Sequence, residues 1–124
     1  MNASLAGRRV LVSAGPTYED IDPVRFLGNR SSGRMGFALA AAAVALGAET
    51  VMVAGPVHLD APPGVRRVDV RSAAAMHEAV LAGLPADLYI GAAAVADWTP
   101  RQFAPHKLKK RPGADTLALE LVRT

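Results

Sequence analysis

Apolar residues in this chain fall into two kinds of block, and the two kinds alternate. Val10-Leu11-Val12 and Val51-Met52-Val53-Ala54 are short unbroken runs of the sort that strands buried on both faces carry. Residues 34–46 form a longer alanine-rich stretch that ends at Gly47, which predicts a helix with a glycine stop. The pattern predicts strands at 9–13, 49–54 and 65–70, the second closed by Gly55-Pro56 and the third preceded by the turn Ala61-Pro62-Pro63-Gly64. Ser72 is placed to cap a second helix over 73–84, and a fourth strand follows at 87–92. After a loop at 97–115, residues 116–122 read as another strand. Strands followed by helices imply α/β architecture, a parallel sheet with right-handed crossovers whose ligands gather beyond the carboxyl ends of the strands.

Length and composition narrow this without changing it. The 124 residues correspond to one domain or part of one, and with 51% apolar and 20% charged residues the chain can bury a core. No apolar run reaches membrane-spanning length and no charged-then-apolar leader is present, so cytoplasmic residence is the expectation. The absence of cysteine excludes disulfides, thiolate metal sites and cysteine nucleophiles within this sequence. A net charge of +3 favours anionic ligands, but the cations are dispersed and aromatics make up 5%, which argues against nucleic acid.

Two features point to an anion more specifically. The run Asn29-Arg30-Ser31-Ser32-Gly33-Arg34-Met35-Gly36 joins a long polar loop to the first helix. Ser31 and Ser32 are suitable N-caps, Gly33 permits close approach of backbone to a ligand, and the free amides of the first turn face forward. The same pattern also serves plain helix capping. The second feature is the placing of lysine: eleven of fourteen cations are Arg, and all three Lys fall at Lys107, Lys109 and Lys110. Flexible ammonium groups suit polyphosphate neutralisation, although a solvated charged turn has the same composition. The loops after strands one and four occupy the carboxyl ends of the sheet, so the serine-glycine and lysine loops can face one crevice. Gly91 to Ala96 adds small residues against which a base or ribose can lie, or which serve tight helix-on-sheet packing.

A dinucleotide site is the obvious competitor, and the fingerprint does not fit. After Ser13 the chain reads Ala14-Gly15-Pro16-Thr17, and roughly twenty residues separate the first strand from its helix where the dinucleotide turn is tight. No Walker A lysine motif occurs either.

Taken in order, Ala14-Gly15-Pro16-Thr17, Ile21-Asp22-Pro23-Val24-Arg25-Phe26-Leu27-Gly28-Asn29 and Ser31-Ser32-Gly33-Arg34-Met35-Gly36 resemble the first signature of phosphopantothenoylcysteine synthetase. Val53 to Val57, Ala92 to Trp98 and Ala104 to Lys110 continue the resemblance over nearly the whole chain. It implies a Rossmann-like three-layer α/β domain, here one nucleotide-binding unit over 1–124 that is incomplete at its carboxy-terminal end. It also implies a two-step ligation. CTP, with Mg²⁺, activates the carboxylate of 4′-phosphopantothenate as an acyl-cytidylate, and the cysteine amine then attacks to give the amide and CMP. Such chemistry needs charge neutralisation and positioning rather than a protein nucleophile.

By the same resemblance Asn29 handles the acyl-cytidylate, Arg25 holds substrate anion and Lys107 sits on a flap that closes on the triphosphate. Gly15, Ser31, Ser32 and Gly33 cradle phosphate, and Ala93, Ala94 and Val95 present backbone groups to the cytosine. Asp97 meets the ribose or the divalent ion. From the residues alone, Asp97 can instead cap a turn, Arg25 can pair with Asp22 or Glu19, and Asn29 can adopt a left-handed turn conformation. His58, His77 and His106 lack ligand spacing and read as surface or turn residues, and Trp98 reads as a packing residue beside the nucleotide pocket.

Two positions depart from the family pattern, Tyr18 for Arg or Gln and Arg34 for Lys. The family continues past the equivalent of Thr124, so the expectation is the amino-terminal half of the ligase domain. The other half, or the decarboxylase often fused to it, is then an expected partner, as is a second copy in a homodimer. The alternatives are a nucleotide-binding fragment without turnover and, less well matched, an NAD(P)-binding domain.

Overall fold

The computed structural model describes residues 4–124. Its centre is β1 (Arg9–Ala14), buried from Val10 onwards because both of its faces are covered. On one side lie β4 (Glu49–Ala54) and then β5 (Val65–Asp69), and on the other β6 (Leu88–Gly91). All pairings are parallel, in the order β5-β4-β1-β6, with Val12 opposite Met52 and Ile90.

Strand alternation sorts the core into two layers. Val10, Val12, Ala14, Met52 and Ala54 face α1 (Arg34–Ala45), whose Phe37, Ala40 and Ala43 complete that cluster. Leu11 and Val53 point the other way, toward Met76 of α2 (Ala73–Ala82). The result is a helix-sheet-helix sandwich, as the alternating pattern predicts. Gly36 makes the first contact close: a Cβ there would stand 2.4 Å from the Ala14 Cβ. Ser72 caps α2 as expected, its side chain accepting from the Ala75 N–H at 3.1 Å.

Three features differ from the sequence expectation. The long connection between β1 and α1 contains an antiparallel hairpin, β2 (Tyr18–Asp20) with β3 (Phe26–Gly28). The expected strand over 116–122 shrinks to β8 (Leu121–Arg123), which lies outside the parallel sheet and pairs antiparallel with β7 (Trp98–Pro100). The second helix stops at Ala82, with Gly83 as its cap, two residues before the predicted end. Both small sheets have strands of three residues, too short for hydrophobic periodicity to reveal.

The hairpin is held from outside itself. Tyr18 and Phe26 stack at 4.0 Å between ring centroids, and the Arg71 guanidinium lies 5.4 Å from each ring. Arg71 also donates to both oxygens of Asp20, and this bond raises the guanidinium pKa above its ordinary value. The buried Glu19 carboxylate accepts from the Ala73 N–H at the start of α2, at 3.0 Å. Residues 71–73 thus fix where the hairpin sits.

Candidate functional site: the crevice between β1 and β6

The chain leaves β1 toward β4 and later crosses from β5 to β6, so strand order reverses between β1 and β6. Open parallel sheets bind ligands beyond such a switch point. Here the two loops leaving these strands are stitched together. The Ala92 N–H donates to the Ser13 carbonyl (2.9 Å), the Ala94 N–H to Gly15 (2.8 Å) and the Thr17 N–H back to Ala94 (3.3 Å). The fully buried Thr17 hydroxyl then accepts from the Ala96 N–H at 2.8 Å.

Gly15 and Gly33 form the floor beside this seam. Both have φ of 79°, a left-handed conformation that glycine adopts without penalty, and both lie under Val57. A Cβ on Gly33 would come within 3.5 Å of the Gly15 Cα, so the turn after β1 and the start of α1 touch. Gly33 itself is the N-cap of α1, in place of the predicted Ser31 or Ser32. The serine hydroxyls instead accept from the N–H groups of Gly33 (3.2 Å) and Arg34 (3.4 Å), two positions and one position short of the amide that a cap would bind. Among the described residues no side chain caps the helix, and its first turn carries no acid, which leaves the positive end of the helix dipole uncompensated by them.

Asn29 reaches this seam from the end of the hairpin. Its Nδ2 donates to the Ala94 carbonyl at 3.0 Å, which leaves the side-chain oxygen without a protein partner among the described residues. Gly15, Gly33, Asn29 and Ala94, which the sequence separates widely, are therefore neighbours. The Ala94 N–H and carbonyl are both spent inside the protein, a correction to the expectation that they face a base. Among the described residues, the N–H groups of Ala93 and Val95 have no such partner.

Arg25 is engaged differently from its expected role on a substrate anion. Its Nη1 donates to Asp22 Oδ2 at 2.6 Å and to the Leu108 carbonyl at 3.0 Å. The Asp22 side chain has no exposed surface. Burial pushes this carboxyl upward, but the backbone N–H groups of Leu108, Val24 and Arg25 and the Arg25 guanidinium together outweigh it and hold the pKa at about 2, against an ordinary 3.8. Lys107, next to Leu108, is exposed and makes no hydrogen bond or ion pair among the described residues.

Asp97 lines a cavity of about 380 Å³ with Trp98, Arg123 and Thr124, and its carbonyl accepts from the Thr124 N–H at 3.0 Å. No group of three His, Cys, Asp or Glu side chains converges among the described residues. Asp97 is exposed and single, a donor set that fits a Mg²⁺ ion only where phosphate oxygens and water complete the shell. Trp98 is half exposed, so it covers less of the molecule than a packing residue would. His58, His77 and His106 are exposed, in keeping with their sequence reading.

Sequence reasoning offered Asp22 as a partner of Arg25, as the structure shows, but missed its hold on Leu108, and it missed Thr17, the Glu19–Ala73 contact and Arg71, which position the site without facing it. The signal was the acidic cluster Glu19-Asp20-Asp22, whose partners at 71, 73 and 108 lie far along the chain.

Fold and crevice together define an open parallel α/β domain of the switch-point-binding class, with a glycine floor and an uncapped helix N-terminus. The family model described as DNA/pantothenate metabolism flavoprotein C-terminal domain matches residues 5–124, and the chain belongs to that family. It is 52% identical over 120 residues to the coenzyme A biosynthesis bifunctional protein CoaBC of Vibrio cholerae, covering 96% of this chain and 30% of that protein. The crystal structure of the C-terminal domain of a CoaBC protein superposes with a TM-score of 0.83 at 46% identity, covering all of this chain and 57% of that one. A Cab2 H337A mutant in complex with phosphopantothenate-cysteine shares the fold at TM-score 0.72 and 15% identity. This chain therefore spans under a third of the curated relative's length.

Proposed function

We propose that this domain takes part in coenzyme A biosynthesis as the nucleotide-handling portion of a phosphopantothenate–cysteine ligase. The observation that carries the reading is the Asn29–Ala94 contact at the seam over Gly15 and Gly33. It gathers an amide, two glycines and the N-terminus of a helix at the one place where this topology accepts a ligand. Membership of the flavoprotein C-terminal domain family and the likeness to CoaBC support it.

In the proposed reaction the carboxylate of 4′-phosphopantothenate attacks the α-phosphorus of CTP, and pyrophosphate leaves. The amine of cysteine then attacks the acyl carbon, CMP departs and the amine proton passes to solvent. The chain's own contribution is positional. The α1 amides with Ser31, Ser32 and Gly33 meet phosphate oxygens, and the N–H groups of Ala93 and Val95 meet the base. The free Asn29 oxygen, an acceptor, takes an N–H of the attacking cysteine amine at the acyl-phosphate centre, and Lys107 neutralises the leaving pyrophosphate. Mg²⁺ bound between Asp97 and phosphate oxygens would supply further charge neutralisation. Arg25 contributes by fixing the lysine loop, and its other guanidinium nitrogens remain open to an anion.

The test is pyrophosphate release by this chain with Mg-CTP, with and without phosphopantothenate, and with Mg-ATP as comparator. Release that depends on phosphopantothenate and prefers CTP supports the ligase. Nucleotide binding without release favours a non-catalytic module, and selective binding of NADP overturns the reading.

A further inference from the structure

The turn of the hairpin and the loop that carries Lys107 meet at a single buried carboxylate. Asp22 Oδ1 accepts from the N–H groups of Val24 (2.9 Å) and Arg25 (2.7 Å), closing a turn that Asp-Pro favours. Its other oxygen, Oδ2, accepts from the Leu108 N–H at 2.9 Å and from Arg25 Nη1. Arg25 in turn holds the Leu108 carbonyl, so both backbone groups of Leu108 are bound to the hairpin turn. Four residues earlier, the Ala104 N–H donates to the Ile21 carbonyl at 2.9 Å.

This loop is therefore pinned at two points, Ala104 and Leu108, and Lys107 stands one residue from the second pin, about 3.8 Å away at the Cα. Its side chain is left free while the backbone is held on either side of it, at Ala104 and Leu108. The same hairpin carries Asn29 four residues beyond Arg25, a span of at most about 14 Å. One short element thus sets both the crevice amide and the root of the lysine.

Resting on the ligase reading above, we propose that Asp22 is a positioning residue for Lys107: its buried carboxylate fixes Leu108, and thereby sets where Lys107 stands relative to the Asn29 crevice. A carboxylate is required because the four donors approach two oxygens from two directions. An asparagine offers one carbonyl oxygen, and its amide nitrogen would confront either the Leu108 N–H or the turn.

The first measurement is hydrogen exchange on the chain, wild type against Asp22→Asn. Exchange of the Leu108 N–H, the amide of this loop that Asp22 binds, rises by about 10-fold or more, the scale of one lost charge-assisted hydrogen bond, while β1 and β4 keep their protection. Unchanged exchange in that loop overturns the proposal. Should Asp22→Asn not fold, Arg25→Met releases the Leu108 carbonyl while leaving the carboxylate in place, and faster exchange in the same loop is again required.

The second measurement is pyrophosphate release for Asp22→Asn, Lys107→Gln and the double variant. A positioning role predicts a raised KM for Mg-CTP in each single variant and a double variant no worse than Lys107→Gln alone. Losses that multiply mean that Asp22 serves the fold independently of Lys107, and overturn the proposal. Faster loop exchange in a chain whose wild type releases no pyrophosphate leaves the clip standing and removes the ligase reading instead.

Discussion

Asn29 and Ala94 meet across the switch point of the sheet, side-chain amide to backbone carbonyl, at 3.0 Å. The bond joins the β2–β3 hairpin to the loop after β6 and leaves the amide oxygen free at the seam. Asn29→Asp removes the donor and places a like charge near any phosphate held there. The expected outcome is continued pyrophosphate release with accumulation of an acyl-nucleotide intermediate, and amide formation slowed by about 100-fold or more, the scale of losing one positioned polar group at a transition state. Quenched-reaction mass spectrometry reads both products, and normal amide formation would remove Asn29 from the chemistry.

Thr17 has no exposed surface and its hydroxyl receives the Ala96 N–H. Thr17→Val keeps the shape and leaves that buried donor unpartnered, at a cost of about 1–3 kcal/mol in chemical denaturation. Thr17→Ser keeps the acceptor and recovers most of the loss. Equal stability in the valine and serine variants would mean the bond contributes little.

Gly55 packs against the turn after β1 so closely that a Cβ would stand 1.6 Å from the Pro16 carbonyl oxygen. Because the obstacle is backbone, Gly55→Ala must shift the seam itself and is expected to cost about 3 kcal/mol or more. Gly113, at φ of 77° with open space around it, should lose only about 1–2 kcal/mol on the same change, from backbone strain alone. Denaturant midpoints for the two variants separate clash from strain.

The Asp22 carboxyl titrates at about 2 in the folded protein, below its ordinary 3.8. The unfolded chain therefore takes up the proton first, and the stabilisation from Asp22 is complete above about pH 4 and falls away as pH drops toward 2. Unfolding measured across this range should show a steeper acid limb for wild type than for Asp22→Asn. Parallel limbs would assign the acid sensitivity to other carboxylates.

The four strands of the parallel sheet and both helices were legible in the sequence because each carries its own local signal. Val10 to Val12 and Val51 to Ala54 are apolar runs, Ser72 is a cap, and Gly47 stops the first helix. The serine-glycine run correctly marked the start of α1, but which residue caps it was decided by the close approach of Gly33 to Gly15, a contact between segments that composition cannot register.

The chain alone determined an α/β sandwich, an anion-favouring charge and the motifs whose order resembles the ligase family. Only the tertiary structure decided that Arg25 pairs with Asp22, that Asn29 meets Ala94 and that Leu108 is bound by Asp22. The last two bonds join residues 65 and 86 positions apart. Periodicity reports the local balance of burial and exposure. A hydrogen bond between distant loops depends on where the sheet and helices deliver their ends, and that geometry exists only once the core has packed.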